Sequence, residues 1–198
     1  MSQDLAPVSL LVIHRVADYD AWREVFDARL SARKQAGFLG HNVTRGADDP
    51  QTVCVYLPCS DVDNARGYLQ RADVVQALKD SGVEGSPTAY LTRPMFGEVI
   101  SDKLLPAIIV HHGVEDYDAW VKVYNDFDLY RKESGIVGHA VDQGFDDPNN
   151  VIVYHQAEAL TTLRAFVDSN ELKERMRDGG VKEPFEIRFV EEVDAAEY

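Results

Sequence analysis

Residues 8–14, Val-Ser-Leu-Leu-Val-Ile-His, are a short apolar run rich in β-branched side chains, which predicts a buried strand. The period then changes. Ala21, Trp22, Val25, Phe26 and Leu30 recur every three or four residues and lay one apolar stripe along a helix. Asp18 and Asp20 offer side-chain oxygens to the free N–H groups at its start, and Gly37 ends it. A second strand is expected at 41–45, a turn at Asp48-Asp49-Pro50 and a third strand at 52–57. Ser60 and Asp63 open a helical region over 61–80, interrupted at Arg71-Ala72-Asp73 and stopped by Gly82. Residues 88–92 read as a fourth strand. The order is βαββαβ, the ferredoxin-like split βαβ unit.

The pattern then starts again. Val-Ala-Asp-Tyr-Asp-Ala-Trp at 16–22 returns as Val-Glu-Asp-Tyr-Asp-Ala-Trp at 114–120, an offset of 98. At that offset, and without a gap, residues 14–56 match 112–154 at 21 of 43 positions. A repeat of this length is a whole domain rather than a solenoid unit. The second copy is expected to have strands at 107–112, 139–143, 150–155 and 185–190. Its helices are expected at 118–133, 159–168 and 170–178, with a turn at 146–148. The chain therefore divides into a first ferredoxin-like repeat at 1–93, a linker at 94–104 and a second repeat at 105–198. One such sheet carries helices on one face only, so its other face needs a cover. Two sheets in one chain meet at high effective concentration. The expected fold class is α+β, with the two repeats forming an intramolecular pseudo-dimeric barrel and the site of action in the chamber between the sheets.

The strand ending in His14, Asp-Tyr-Asp-Ala-Trp at 18–22, the Asp-Asp-Pro turn and Gly-Val-x-Gly-x-Pro-Thr at 82–88 resemble the dimeric α+β barrel superfamily. The likeness is greatest to the antibiotic-biosynthesis-monooxygenase-like proteins and their cyclase-like relatives. It covers nearly the whole chain, twice. The second copy departs at 180–185, which lacks the Gly before Pro and runs one residue shorter. The resemblance implies a small-molecule enzyme that oxygenates or cyclises an aromatic or polyketide-like substrate without a cofactor. The superfamily also includes haem-degrading enzymes, haem peroxidases, isomerases and proteins without known activity. A non-catalytic or stress-response barrel that holds a small ligand therefore stays open, as does a haem- or metal-binding barrel.

Composition narrows the partners. A net charge of −14, from 34 acidic and 20 basic residues, repels phosphate backbones and argues against nucleic acid. The charge is uneven: residues 1–99 carry 13 acidic against 10 basic side chains, and residues 100–198 carry 21 against 10. No apolar run is long enough for a bilayer, and the N-terminus shows no signal-peptide pattern, so the expected location is cytoplasmic. Cys54 and Cys59 form no C-x-x-C pair, and Cys54 reads as a small core residue. The expected partner is a small apolar or aromatic molecule, with pairing of the two repeats and a possible homodimer.

Chemistry is expected at one end of each sheet. His14 and His112 end the first strands, Tyr56 and Tyr154 end the third, and His41 and His139 open the second. A neutral imidazole can take a proton from an acidic phenol or enol, and a tyrosine hydroxyl can orient the same oxygen. The candidate catalytic residues are thus His112, His14, Tyr154 and Tyr56. His139, His41, His155 and His111 are candidate substrate-binding residues. His155 stands where the first copy has Leu57 and His111 where it has Ile13, so the second copy is favoured as the active one. Each histidine also has a structural reading, as a strand-end side chain bonded to a loop. Trp22 and Trp120 read as core, Tyr19 and Tyr117 as hydrophobic staples, and Arg33 and Arg131 as cations at helix C-termini. No cofactor is expected. With no H-x-x-x-H pair and no carboxylate cluster, no metal is expected either. Phosphate loops and nucleophile elbows are absent from the sequence.

Overall fold

A computed structural model describes residues 7–198; residues 1–6, part of the N-terminus read above for a signal peptide, lie outside the described residues. The chain has mixed α+β structure. Its strands hydrogen-bond in one closed order, β1-β3-β2-β8-β5-β7-β6-β4. It forms two compact units, one of residues up to Pro94 with Glu192–Tyr198, the other Met95–Glu191. No helix among the described residues is long and apolar enough to cross a membrane.

The first unit begins with β1 (Val8–Val16), followed by α1 (Tyr19–Ala28), α2 (Leu30–Gln35), β2 (Gly40–Gly46) and β3 (Thr52–Cys59). Then come α3 (Val62–Gly67), a 3₁₀ turn at Tyr68–Gln70, α4 (Ala72–Asp80) and β4 (Val83–Glu98). Asp18 caps α1 as expected, its side chain accepting from the Ala21 N–H at 3.0 Å. Gly37 stops the helical segment at φ +85°, a backbone setting that costs a residue without a Cβ nothing. The single helix expected here is two. The chain steps at Arg29 (φ −96°, ψ 10°) and turns α2 away from α1. β1 pairs antiparallel with both β3 and β4, and β2 pairs with the outer side of β3.

The second unit repeats the order. It holds β5 (Pro106–Val114), α5 (Tyr117–Asp126), α6 (Asp128–Glu133), β6 (Ile136–Gly144), β7 (Asn150–Ala157), α7 (Leu160–Asp168), α8 (Asn170–Asp178) and β8 (Val181–Glu197). The step between α5 and α6 falls at Phe127, the position matching Arg29. Ile108, Val141, Val151, Leu163 and Phe166 form its core with Trp120.

Two strands exceed the sequence expectation. β4 has 16 residues and β8 has 17, against 88–92 and 185–190. Nine positions of each are exposed, and Gly, Pro and charged residues interrupt the rest, so no long apolar run marks them. Their ends also change company. Residues 95–98 belong with the second unit and 192–198 with the first, where the Tyr198 N–H donates to the Leu39 carbonyl at 2.8 Å. The expected linker at 94–104 therefore starts inside a strand.

Both histidine-bearing strands face a bulge. Ile13 pairs with Thr88 and Arg15 with Glu84, so Gly85-Ser86-Pro87 oppose the single residue His14. In the second unit His111 pairs with Glu186 and Gly113 with Lys182, so residues 183–185 oppose His112. The motif at 82–88 is this bulge, a device that re-aims a side chain beside a strand. Its Gly85 has φ +69°.

The seat of residues 192–198 in the first unit requires a close approach at Gly40. A Cβ there would lie 2.6 Å from the Ala196 carbonyl oxygen. Gly40→Ala is expected to lower stability by ~1–3 kcal/mol in urea unfolding, as overpacking does. Gly67→Ala, whose Cβ meets nothing within 4 Å, is the control and is expected to be neutral or mildly stabilising. An unchanged midpoint for Gly40→Ala would show that the strand end does not sit there.

Candidate functional site

Strand alternation decides what each predicted side chain meets. In the first unit Val12 and His14 of β1, with Val55 and Leu57 of β3, point toward the helices. They line a pocket of about 510 Å³, counting its solvent-open part, with Trp22, Phe26, Arg33 and Tyr68. The bulge leaves His14 buried, its ring 5.6 Å from that of Trp22 and neither nitrogen hydrogen-bonded. Burial lowers its pKa to about 4, so the ring is neutral at pH 7.

Arg33 is 2% exposed, and its guanidinium carbon lies over the Phe26 ring, 3.7 Å from its centroid. It donates from Nη1 to the Phe26 carbonyl at 2.5 Å and from Nε to the Tyr198 hydroxyl at 2.7 Å. That hydroxyl is 2.8 Å from His41 Nδ1, and His41 Nε2 is 2.6 Å from Asp194. Arg23 donates to the same carboxylate at 2.7 Å. His41 is thus held at both nitrogens by the strand end 192–198 and lies outside the pocket lining.

The second unit has the corresponding pocket, about 590 Å³ including its solvent-open part. Its walls include Trp120, Phe127 and Phe166, and five polar residues line it: His112, Tyr124, Arg131, His155 and Arg175. His112 is 5.6 Å from Trp120, and both its nitrogens are without a hydrogen bond. Burial, with His111 adding to it, lowers its pKa to about 4. His155 stacks parallel to Tyr124 at 6.0 Å, with Nε2 3.0 Å from the Tyr124 hydroxyl and Nδ1 without a hydrogen bond. Burial takes His155 to about 3 and holds the Tyr124 hydroxyl well above the usual tyrosine range. Arg131 lies 3.9 Å over the Tyr124 ring, donates to the Tyr124 carbonyl and reaches Asp128 at 3.1 Å, while its buried Nε has no hydrogen-bond partner.

Three of the eight expected site residues line these pockets: His14 in the first, His112 and His155 in the second. His139 is half-buried, 6.1 Å from Tyr124 and 6.4 Å from Phe96, and burial lowers its pKa. Like His41, it lies outside the pocket lining. Tyr56, Tyr154 and His111 are corrections. Each alternates with a pocket-lining residue and points to the opposite sheet face, so the expected His–Tyr pair does not converge. His111 instead bonds Asn150 Oδ1 at 2.7 Å. The pockets lie between sheet and helices of each unit rather than on the face where two stacked sheets would enclose a chamber. Arg33 and Arg131 are in the last turns of α2 and α6, as expected, but buried over aromatic rings rather than at exposed helix ends. Tyr124 has no counterpart in the sequence reading. Its signal was the replacement of Phe26 by Tyr at the matching position, alongside Leu57 by His155.

Neither a family model nor a curated protein matches the chain. Solved structures do. An anthrone oxidase-like protein superposes with a TM-score of 0.77 at 11% identity, covering 100% of this chain and 95% of its own. A candidate monooxygenase from Fusobacterium nucleatum gives 0.68 at 9% identity, covering 99% of both chains. A ferredoxin-fold protein related to antibiotic biosynthesis monooxygenases, from Listeria monocytogenes, gives 0.58 at 6%, covering 96% of both. At these identities the likeness is one of fold: the chain has the dimeric α+β barrel fold.

The buried neutral histidines make stability fall in mild acid. Below the unfolded value of 6.5 the unfolded chain binds protons that folded His14, His112 and His155 refuse, down to about 4 for the first two and about 3 for the third. The folded state therefore loses roughly 2 kcal/mol per ring as pH drops from 6.5 to about 5. Urea midpoints at pH 7.5, 6 and 5 are expected to decline, and His155→Leu is expected to flatten the decline. A wild-type midpoint constant from pH 7.5 to 5 would contradict the burial of these rings.

Proposed function

We propose that the second unit is an enzyme site. It takes a proton from an acidic carbon or phenol of an aromatic, polyketide-like compound and lets the resulting anion react with O2 or close a ring, without a bound cofactor. His112 is the base. One observation carries this reading: a buried, neutral imidazole with both nitrogens unpartnered lines an aromatic-walled pocket. An apolar ligand with one acidic hydrogen would fill the pocket and supply the missing hydrogen bond. Although burial makes the free ring a weak base, proton transfer creates an imidazolium–enolate pair. In a low dielectric each ion stabilises the other.

The fold neighbour described as anthrone oxidase-like suggests anthrone as a test compound. The methylene proton would pass to His112 and the electron pair would attack O2 to give a carbon-bound hydroperoxide. Loss of water then leaves anthraquinone, so one O2 is consumed and one H2O released. The polar groups converging on the pocket favour catalysis over simple storage of a ligand.

The test is oxygen uptake with anthrone. His112→Ala is expected to lower kcat/KM by ~100-fold or more, the usual worth of a positioned base. His14→Ala should leave it within about threefold, because the pocket it lines lacks the second histidine. Undiminished turnover in the double variant His14→Ala/His112→Ala would remove the base assignment. Binding of anthrone without any turnover would favour the non-catalytic ligand-binding reading.

A further inference from the structure

The two pockets share a plan, and among the matched positions that differ between the units, three bear on the hydrogen bonding of His155 and Arg131. Phe26 becomes Tyr124, Leu57 becomes His155, and Tyr198 becomes Ile100, all at the repeat offset of 98. The first two changes are coupled, since the new hydroxyl and the new ring bond each other at 3.0 Å. The third removes a partner. In the first unit the Tyr198 hydroxyl takes the Arg33 Nε–H at 2.7 Å, whereas the matching Arg131 Nε is left buried with none.

The need of a buried hydroxyl for an acceptor favours one polarity for these groups. The Tyr124 hydroxyl is buried and stays protonated, so its hydrogen needs an acceptor. His155 Nε2 is the hydrogen-bond partner beside it. If Tyr124 donates there, the neutral His155 ring must carry its hydrogen on Nδ1. That N–H then has no protein acceptor, on a residue that lines the pocket. Arg131 Nε is necessarily a donor as well. Neutral His112 adds one N–H and one free lone pair, so three unanswered N–H groups and one unanswered base belong to residues lining the same pocket.

We propose that His155 Nδ1–H and Arg131 Nε–H are a donor pair for an anionic oxygen, and that this pocket takes aromatic compounds whose ring carbonyl or phenol becomes an oxyanion. Tyr124 is the positioning residue that holds His155 in the donor tautomer. The inference rests on the functional reading of the same pocket and adds the ligand class and the oxyanion partners. Buried donors set before charge develops are worth far more than the same donors in water.

The test uses 1,8-dihydroxyanthraquinone, a phenol whose visible absorption changes on ionisation, and anthraquinone as an analogue that cannot ionise. Bound to the full chain, the dye is expected to ionise about one pH unit or more below its value in buffer, a tenfold preference for the anion. His155→Leu should return the ionisation to the buffer value, and Tyr124→Phe should move it part of the way. Anthraquinone binding should stay within about threefold in both variants. Each substitution installs the residue found at the matching place in the first unit, so both fit a fold already present in the chain. An unshifted or raised ionisation in wild type, no response to His155→Leu, or no dye binding would overturn the proposal. A normal dye response with failed anthrone turnover would sink the catalytic reading and leave the oxyanion site standing. Turnover that is indifferent to His155→Leu, with no dye response, would do the reverse.

Discussion

A guanidinium buried in an apolar interior is tolerated only when its donors are answered and its charge is neighboured. Each unit is arranged around one. Arg33 and Arg131 sit over an aromatic ring of the preceding helix and donate to the backbone carbonyl of that same aromatic residue. This requires the chain to turn back within seven residues, which the steps at Arg29 and Phe127 allow. What remains is the Nε–H, and here the units part. The first answers it with Tyr198 and so ties its arginine to the strand end 192–198, His41 and Asp194. The second leaves it buried without a hydrogen-bond partner.

The same contrast runs through the histidines. Burying an imidazole without a partner costs stability, yet both units do so at the residue opposite a bulge. A local choice that folding alone does not favour, made twice in matched places, is the pattern expected of a site under functional constraint. The first unit keeps one such ring against Trp22. The second adds His155 and surrounds both rings with aromatic walls, concentrating the unmet polarity in one pocket.

Much of this was legible in the sequence, and its limits have physical causes. β1, β3 and the capped helix starts were visible because burial and capping write directly onto residue pattern. The helix steps were not, because Arg29 and Phe127 sit inside an unbroken stripe without a Pro or Gly. The lengths of β4 and β8 were hidden because paired but solvent-facing strands need no apolar alternation. His14, His112 and His155 were picked for their chemistry. Tyr56, Tyr154 and His111 were picked with them although they face the other way, since one residue of register reverses a strand's side chains. Arg131 was read as a helix-end cation because its sequence position is the same whether its side chain points into solvent or onto Tyr124.

The strand exchange at the end of the chain bears on the order of assembly during synthesis. Domains ordinarily fold as units, beginning with the one made first. Here the earlier unit lacks its final strand segment until residues 192–198 have left the ribosome, whereas the later unit has all of its own residues, 95–191, beforehand. The half translated first is thus the one completed last, and until then Arg33 and His41 await the tyrosine and aspartate that secure them.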